Sequence, residues 1–253
     1  LLLDLAQIAR EHGLMIFADE IYDRLVMDGA EHVALGSLAP DVMCVNINGL
    51  SKSHRVAGYR CGWMCLSGDK SRCKGYIEGL NLLSSMRLCS NVPGQSIIQT
   101  ALDGTQSADK LLVPGGRVYE QREYIYRALN DIPGLSAVKP KAAFYIFPKI
   151  DTQKYHILDD ERFALDLLRE KRILVTHGRG FHWEQPDHFR IVYLPEIEVL
   201  QEACGKLEDF LKKNPDYVLP EEATLGSDVL ETHAIGKTPE MYGKTVRVSL
   251  CER

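Results

Sequence analysis

The chain has 253 residues, of which 45% are hydrophobic and 26% are charged, as in a globular protein that can bury a sizeable core. Its 30 basic and 35 acidic residues are mixed along the sequence and give a formal net charge of -5, which argues against nucleic acid or an anionic membrane as a partner. No apolar run has the length of a membrane span, and the seven scattered cysteines lack metal-binding spacing. We therefore expect a cytoplasmic α/β protein with reduced thiols and no metal site.

The first part of the chain alternates helical and strand patterns. Apolar residues at helical spacing predict a helix over residues 1–12 that ends at Gly13, and a chain that starts inside such a helix is interpreted as part of something longer. Residues 72–103 favour helix in two pieces, with an interruption at the Pro-Gly pair of NVPGQS. Before them, three short apolar runs are typical of buried strands: LMIFADE, DVMCVNING and RCGWMCLSG.

The second part of the chain has an α+β pattern. Helices are predicted within residues 115–134, near residues 159–171 and over residues 196–212. Between and after the first two helices lie four predicted strands: LSAVKP, AAFYIFPKI, ILVTHG and HFRIVYLP.

These patterns predict two domains and a tail. The first domain covers residues 1–120 and the second covers residues 121–213, with the boundary inside the long helix. Residues 214–253 have little periodicity and several helix-breaking residues, so we expect a weakly ordered tail.

Polar side chains follow the first predicted strand. Asp19, Glu20 and Tyr22 come directly after its apolar run. Ligands of open α/β sheets collect outside the carboxyl ends of the strands, which would place these side chains beside a ligand. The alternative is that Asp19 caps the start of a following helix, a frequent role for aspartate.

A lysine and an arginine follow the second strand. The Lys52 amine could form a Schiff base with a carbonyl compound if burial or the nearby cations Arg55 and Arg60 lower its pKa. The planar guanidinium of Arg60, between Gly58 and Gly62, suits two-pronged binding of a phosphate. The alternatives are a solvated surface lysine and an arginine paired with a carboxylate.

Arg190 lies within the apolar strand HFRIVYLP of the second domain. A charge without a partner is costly in such a place. The residue therefore either forms a buried structural ion pair or binds a charged substrate.

The segments ADEIY, SKSHRVAGYRCGW and HFRIVYLP, in this order, resemble the fold type I, pyridoxal-phosphate-dependent aminotransferases of class I/II. The resemblance runs from residue 1 to about residue 212, and NGLSKSHRVAGYRCGW is most similar to the bacterial alanine–glutamate transaminases. It implies the C-terminal part of that α/β fold. Residues 1–120 would be a partial pyridoxal phosphate-binding large domain with a mixed sheet, and residues 121–213 the small α+β domain. It also implies a homodimer.

The resemblance implies roles in holding the cofactor ring. Lys52 would be the catalytic residue that forms the Schiff base with pyridoxal phosphate and moves the substrate proton. Asp19 would face the pyridine nitrogen and keep it protonated, and Tyr22 would donate to the phenolic oxygen of the cofactor.

It further implies roles at the two ends of the ligand. Arg60 would hold the cofactor phosphate, with Ser51 as a second phosphate or water ligand, and Arg190 would bind the α-carboxylate of the substrate. Glu20 and His54 are interpreted as structural.

The chain departs from the family at several points. The upstream phosphate-binding glycine turn, the aromatic residue that stacks on the ring and an Asn-Pro-x-x-Pro-Thr-Gly loop are absent from it. Gly49 lies three residues before Lys52, where some relatives carry a phosphate-binding serine, and Ala142 stands where relatives usually have glycine.

The function implied by the resemblance is transfer of an amino group between L-alanine and 2-oxoglutarate. One alternative is the same reaction with aspartate, aromatic or branched-chain substrates. A second is another reaction on the same fold, such as C–S bond cleavage. A third is an inactive truncated chain that acts only as an interaction module, because an incomplete sheet exposes edges and apolar faces.

Overall fold

The computed structural model describes residues 1–213, which fall into two compact units that divide between Val113 and Pro114. The division comes before the long helix, whereas the sequence suggested a boundary inside that helix near residue 120. The predicted tail over residues 214–253 lies outside the described residues.

The first unit contains a mixed three-stranded sheet in the order β1-β2-β3. Strands β1 and β2 are parallel, and β3 runs antiparallel to β2. The prediction of a buried strand is confirmed for β2, in which Cys44 and Val45 are fully buried, but is wrong for β3, in which no residue is buried. The strand bounds are Ile16–Asp19 for β1, Cys44–Gly49 for β2 and Gly62–Ser67 for β3.

The first unit also contains several helices. The predicted first helix, α1, covers Leu2–His12 and buries Ala6 and Ala9 in the core of the first unit. It ends at Gly13, whose φ of 61° lies in the left-handed region that glycine adopts without strain. The remaining helices are α2 Leu35–Leu38, α3 Leu50–Ser53, α4 Lys74–Arg87, α5 Val92–Ser96 and α6 Ile98–Asp103, with 3₁₀ turns at Ala57–Tyr59 and Asp109–Leu111.

The predicted interruption at NVPGQS is wrong in detail, because this segment forms helix α5. Pro93 lies in the first turn of α5, where the missing backbone N–H has no helical partner to lose. The side chain of Asn91 accepts a hydrogen bond from the Gly94 N–H and so caps the helix. The Pro-Gly pair therefore follows a helix start.

The second unit packs three longer helices against short strands. The strands pair as β4-β6 and β5-β8-β7, all antiparallel. Most of them are two residues long, shorter than their apolar runs predicted. The bounds are α7 Arg117–Asp131, β4 Leu135–Ser136, β5 Tyr145–Ile146, β6 Lys149–Ile150, α8 Thr152–Tyr155, α9 Asp160–Lys171, β7 Thr176–His177, a 3₁₀ turn at Gly178–Phe181, β8 Phe189–Val192 and α10 Ile197–Lys213.

The core of the second unit comes from apolar residues at helical spacing. Ile125 and Leu129 of α7, Phe163 and Leu167 of α9 and Phe210 of α10 are almost completely buried in one cluster. Since the members of each pair are four residues apart, they lie on one face of their helix.

Candidate active site

The topology of the first sheet brings three predicted site residues to one edge. Because β1 and β2 are parallel, their carboxyl ends lie at the same edge, with Asp19 opposite Ile47. Strand β3 is antiparallel and begins at that edge, where Gly62 pairs with Gly49. Asp19 at the end of β1, Lys52 after β2 and Arg60 before β3 therefore share this edge.

Lys52 and Tyr22 are neighbours at this edge. The Lys52 Nζ lies 5.8 Å from the centroid of the Tyr22 ring, and both side chains are partly buried. Lys52 is therefore not the freely solvated surface lysine that the sequence left open.

Asp19 presents an exposed carboxylate and does not start a helix. Residues 21–24 form turns, and the Asp19 Oδ1 accepts a hydrogen bond of 3.3 Å from the Ile21 N–H. The capping role belongs to Glu20, whose Oε1 accepts 2.9 Å from the Leu35 N–H at the start of α2. This contact gives Glu20 a structural role and leaves the Asp19 carboxylate at the edge.

Arg60 has an exposed side chain and a backbone φ of 50°. A positive φ is uncommon outside glycine and often occurs at functional sites. Its Nη1 donates 2.7 Å to the Ala57 carbonyl, and within residues 1–213 no carboxylate pairs with it. Arg55, by contrast, donates from Nη2 to the Ser107 Oγ at 2.7 Å. The Arg60 guanidinium thus keeps capacity for an external anion.

The Gly49–Gly62 pair leaves no room for a side chain at residue 49. A Cβ atom there would lie 2.9 Å from the Cys61 carbonyl oxygen and 3.1 Å from the Gly62 Cα. A serine at this place, as in some relatives, would require the backbone of β3 to move. The candidate hydroxyl in this stretch is therefore Ser51, which is partly buried one residue before Lys52.

A hydrogen-bond chain beside Lys52 was not apparent from the sequence. The His54 Nε2 lies 2.8 Å from the Ala101 carbonyl, which can only accept, so Nε2 carries a proton. In the neutral ring, Nδ1 is then the acceptor for the buried Ser53 hydroxyl at 2.9 Å. The chain ties the lysine-bearing turn to α6. A structural role for His54 was predicted from the sequence, but its hydrogen-bond partner was not, because that partner lies in a helix far along the chain.

Arg190 of the second unit lies close to two aromatic rings. Its guanidinium carbon is 4.6 Å from the ring centroids of both Tyr145 and Phe181. Its Nε is buried and has no hydrogen-bond partner, and within residues 1–213 no carboxylate pairs with the side chain. The structural ion pair that the sequence left open is therefore not found among these residues.

The loop before β8 is held by the Asp187 carboxylate. Asp187 accepts from the Trp183 Nε1 at 2.8 Å and pairs with the His188 Nδ1 at 2.6 Å and the Lys149 Nζ at 3.4 Å. Burial alone would raise the pKa of Asp187, but the hydrogen bonds from His188 and Trp183 outweigh it, and the pKa lies below its ordinary value.

Comparison with known proteins identifies the family. A model of the family "Aminotransferase class I and II" matches residues 1–207. The chain belongs to this family.

Two relatives with 50% identity or more have names that refer to alanine or pyruvate. Glutamate-pyruvate aminotransferase AlaA of Haemophilus influenzae is 55% identical over 211 residues, which are 83% of this chain and 52% of the relative. An alanine aminotransferase of Mycobacterium tuberculosis is 50% identical over 211 residues, 83% of this chain and 49% of the relative. The chain therefore spans about half the length of these relatives.

The fold agrees with a solved structure of the same family. The crystal structure of an aminotransferase from Escherichia coli matches with a TM-score of 0.81 and 51% identity, over 85% of this chain and 53% of that one. The predicted fold, part of an α/β fold type I aminotransferase, is confirmed.

Membrane-spanning helices and metal-binding clusters are both absent from residues 1–213. None of the helices there is long and apolar enough to cross a membrane. No group of three or more His, Cys, Asp or Glu side chains in the same residues is arranged to hold a metal ion.

Proposed function

We propose that the protein carrying this chain moves an amino group between L-alanine and 2-oxoglutarate with pyridoxal phosphate as cofactor, and that it acts as a homodimer. The observation that carries the proposal is the meeting of Lys52, Tyr22, Asp19 and Arg60 at one edge of the first sheet. The names of the two relatives described above support alanine and glutamate chemistry.

The chemistry of these side chains fits the functional groups of pyridoxal phosphate. The Lys52 amine suits the aldehyde, the Tyr22 phenol suits the phenolic oxygen and the exposed Asp19 carboxylate suits the ring nitrogen. Arg60, which has no carboxylate partner within residues 1–213, suits the phosphate, with Ser51 as a second ligand. When bound, the cofactor supplies a ring that accepts electrons from the substrate.

The side chains of the protein would hold the cofactor and the substrate and would move the substrate proton. Lys52 would hold the cofactor through its amine and would carry the proton to and from the substrate Cα. Arg190 binds the substrate carboxylate through its planar fork, which orients the bond to be broken.

A cytoplasmic location also belongs to the proposal. The cysteines at positions 44, 61, 65, 73, 89 and 204 are all free thiols in the described part of the chain. Free thiols are typical of a reducing compartment.

Visible absorbance with pyridoxal phosphate tests the cofactor role of Lys52. We expect the purified chain to gain an absorbance band that borohydride abolishes, and peptide mass analysis to locate a phosphopyridoxyl group on Lys52. The variant Lys52→Ala should lose both signals, while Lys70→Ala, a control at an exposed lysine, should keep them. A band that persists in Lys52→Ala would place the cofactor elsewhere.

The same band tests the substrate. L-Alanine and L-glutamate should each bleach it, and aspartate or tyrosine should do so more slowly at equal concentration. If aspartate or tyrosine bleaches the band faster than alanine does, that amino acid and not alanine would be the preferred amino donor. No band from soluble chain would mean that these residues alone do not hold the cofactor.

A further inference from the structure

The two aromatic rings around Arg190 come from different elements of the second unit. Tyr145 lies in β5, where it pairs with Val192 of β8, and Phe181 ends the 3₁₀ turn Gly178–Phe181. Both ring centroids are 4.6 Å from the guanidinium carbon, which is well within cation–π range. The two rings therefore make close contact with the Arg190 guanidinium.

The surroundings of Arg190 limit how an anion can approach. The Nε–H is buried and has no acceptor among the described residues, so this edge is closed to solvent. The aromatic contacts occupy space next to the guanidinium carbon. The terminal Nη edge is then the natural place for a carboxylate, and two parallel N–H···O bonds can form there.

The turn that carries Phe181 is itself fixed. Arg179 forms an ion pair through its Nε with the buried Asp160 carboxylate, and its backbone N–H donates to the same group at 2.8 Å. The Gly178 N–H donates 2.8 Å to the His188 carbonyl next to β8. Phe181 also packs nearly perpendicular to Phe147, with 6.2 Å between ring centroids. The ring is thus held by contacts that do not involve Arg190.

We propose that Tyr145 and Phe181 are positioning residues that hold the Arg190 guanidinium so that its terminal edge meets the carboxylate of the substrate. This inference rests on the proposed function, because it takes Arg190 as the carboxylate-binding residue. The rings act through Arg190 and exchange no proton. Their loss changes substrate binding more than the chemical step.

Binding of pyruvate to the ¹⁵N-labelled chain, followed by NMR at the Arg190 Nε–H, tests this without cofactor. The signal is assigned by its loss in Arg190→Lys, and the two rings should displace it from the usual arginine position. Tyr145→Leu and Phe181→Leu should each weaken pyruvate binding roughly tenfold, the size expected for a desolvated cation–π contact. Tyr145→Phe and Phe181→Tyr keep a ring and should bind within about twofold of the parent chain.

The outcomes separate this inference from the proposed function. Unchanged pyruvate affinity in both leucine variants, with circular dichroism showing them folded, would overturn the positioning role and leave Arg190 as the binding residue. If a leucine variant does not fold, an Arg190 signal without ring displacement in the parent chain would overturn it instead. Pyruvate binding that is absent or independent of Arg190 would overturn it together with the role of Arg190. The Lys52 experiment decides the cofactor chemistry separately.

In the loaded enzyme, the leucine variants should raise KM for alanine by a similar factor and leave kcat within about threefold. A fall in kcat at constant KM would contradict a role in ground-state binding.

Discussion

At the scale of single residues, Ala143 carries strain close to Tyr145. Its φ is 59°, in the left-handed region that costs an L-residue with a Cβ about 1–2 kcal/mol. The Ala143 carbonyl accepts 3.0 Å from the hydroxyl of the buried Tyr193. This hydrogen bond helps to hold a conformation that alanine disfavours.

We expect Ala143→Gly to stabilise the second unit by about 0.5–1 kcal/mol, because glycine relieves the strain but loses more entropy on folding. The neighbour Ala142 is the matched control. It has no positive φ, so Ala142→Gly should leave stability unchanged or lower it. Urea unfolding followed by circular dichroism measures both. A less stable Ala143→Gly would mean that the backbone there is not strained.

At the scale of helices and strands, the sequence correctly predicted those elements whose bounds depend on neighbouring residues. The helix α1 and its end at Gly13 followed from spacing and a glycine, and β2 from its apolar run. The predicted interruption at Pro93 and Gly94 was wrong because both residues lie within α5, and the Asn91 cap that starts this helix could not be recognised from composition alone. The short length of most strands in the second unit could not be predicted from their apolar runs, because strand length depends on partners far along the chain.

Some residues of the candidate site could be predicted from local sequence, and others could not. Lys52 and Asp19 could be singled out from the sequence because they follow apolar strands. The contacts of Arg190 with Tyr145 and Phe181 could not, since three separate elements supply them. Ala142 stands where relatives usually have glycine, which suggested a positive φ there, but the residue with the positive φ is Ala143.

The pairing of β2 with β3 gives a prediction at this scale. Gly49→Ser places a side chain against the backbone of β3 and should lower the free energy of unfolding by about 1–3 kcal/mol. Gly58 is the matched control, because a Cβ there has nothing within 4 Å, and Gly58→Ser should cost less than about 0.5 kcal/mol. Equal stability of the two variants in urea unfolding would show that the backbone of β3 can shift to accept the side chain at little cost in free energy.

At the scale of the whole molecule, an apolar surface runs along α4 and the segment after it. Leu82, Leu83, Met86, Leu88 and Val92 are each more than 60% exposed. Exposed apolar patches of this kind usually mark a contact surface. The homodimer proposed above would use such a surface.

We expect the purified chain to associate with itself through this surface, as a second copy can bury the same side chains. The double variant Leu82→Glu, Met86→Glu should shift sedimentation velocity towards the monomer at equal concentration. Leu174, which is 79% exposed in the second unit, provides the control, and Leu174→Glu should not change the distribution. Association that survives in the double variant would exclude this surface as its cause.

The tight pairing of Gly49 with Gly62 also limits the evolutionary routes open to this sequence. A single codon change that introduces serine at residue 49 would push a side chain into the Cys61 carbonyl before it could contact any phosphate. The cost of such a change, expected above to be about 1–3 kcal/mol, would fall if the start of β3 first moved away, so a substitution that shifts β3 would make a later serine at residue 49 easier to accept. A sequence with this glycine pair is therefore expected to retain a phosphate ligand from elsewhere, such as Ser51, for as long as β2 and β3 keep their present spacing.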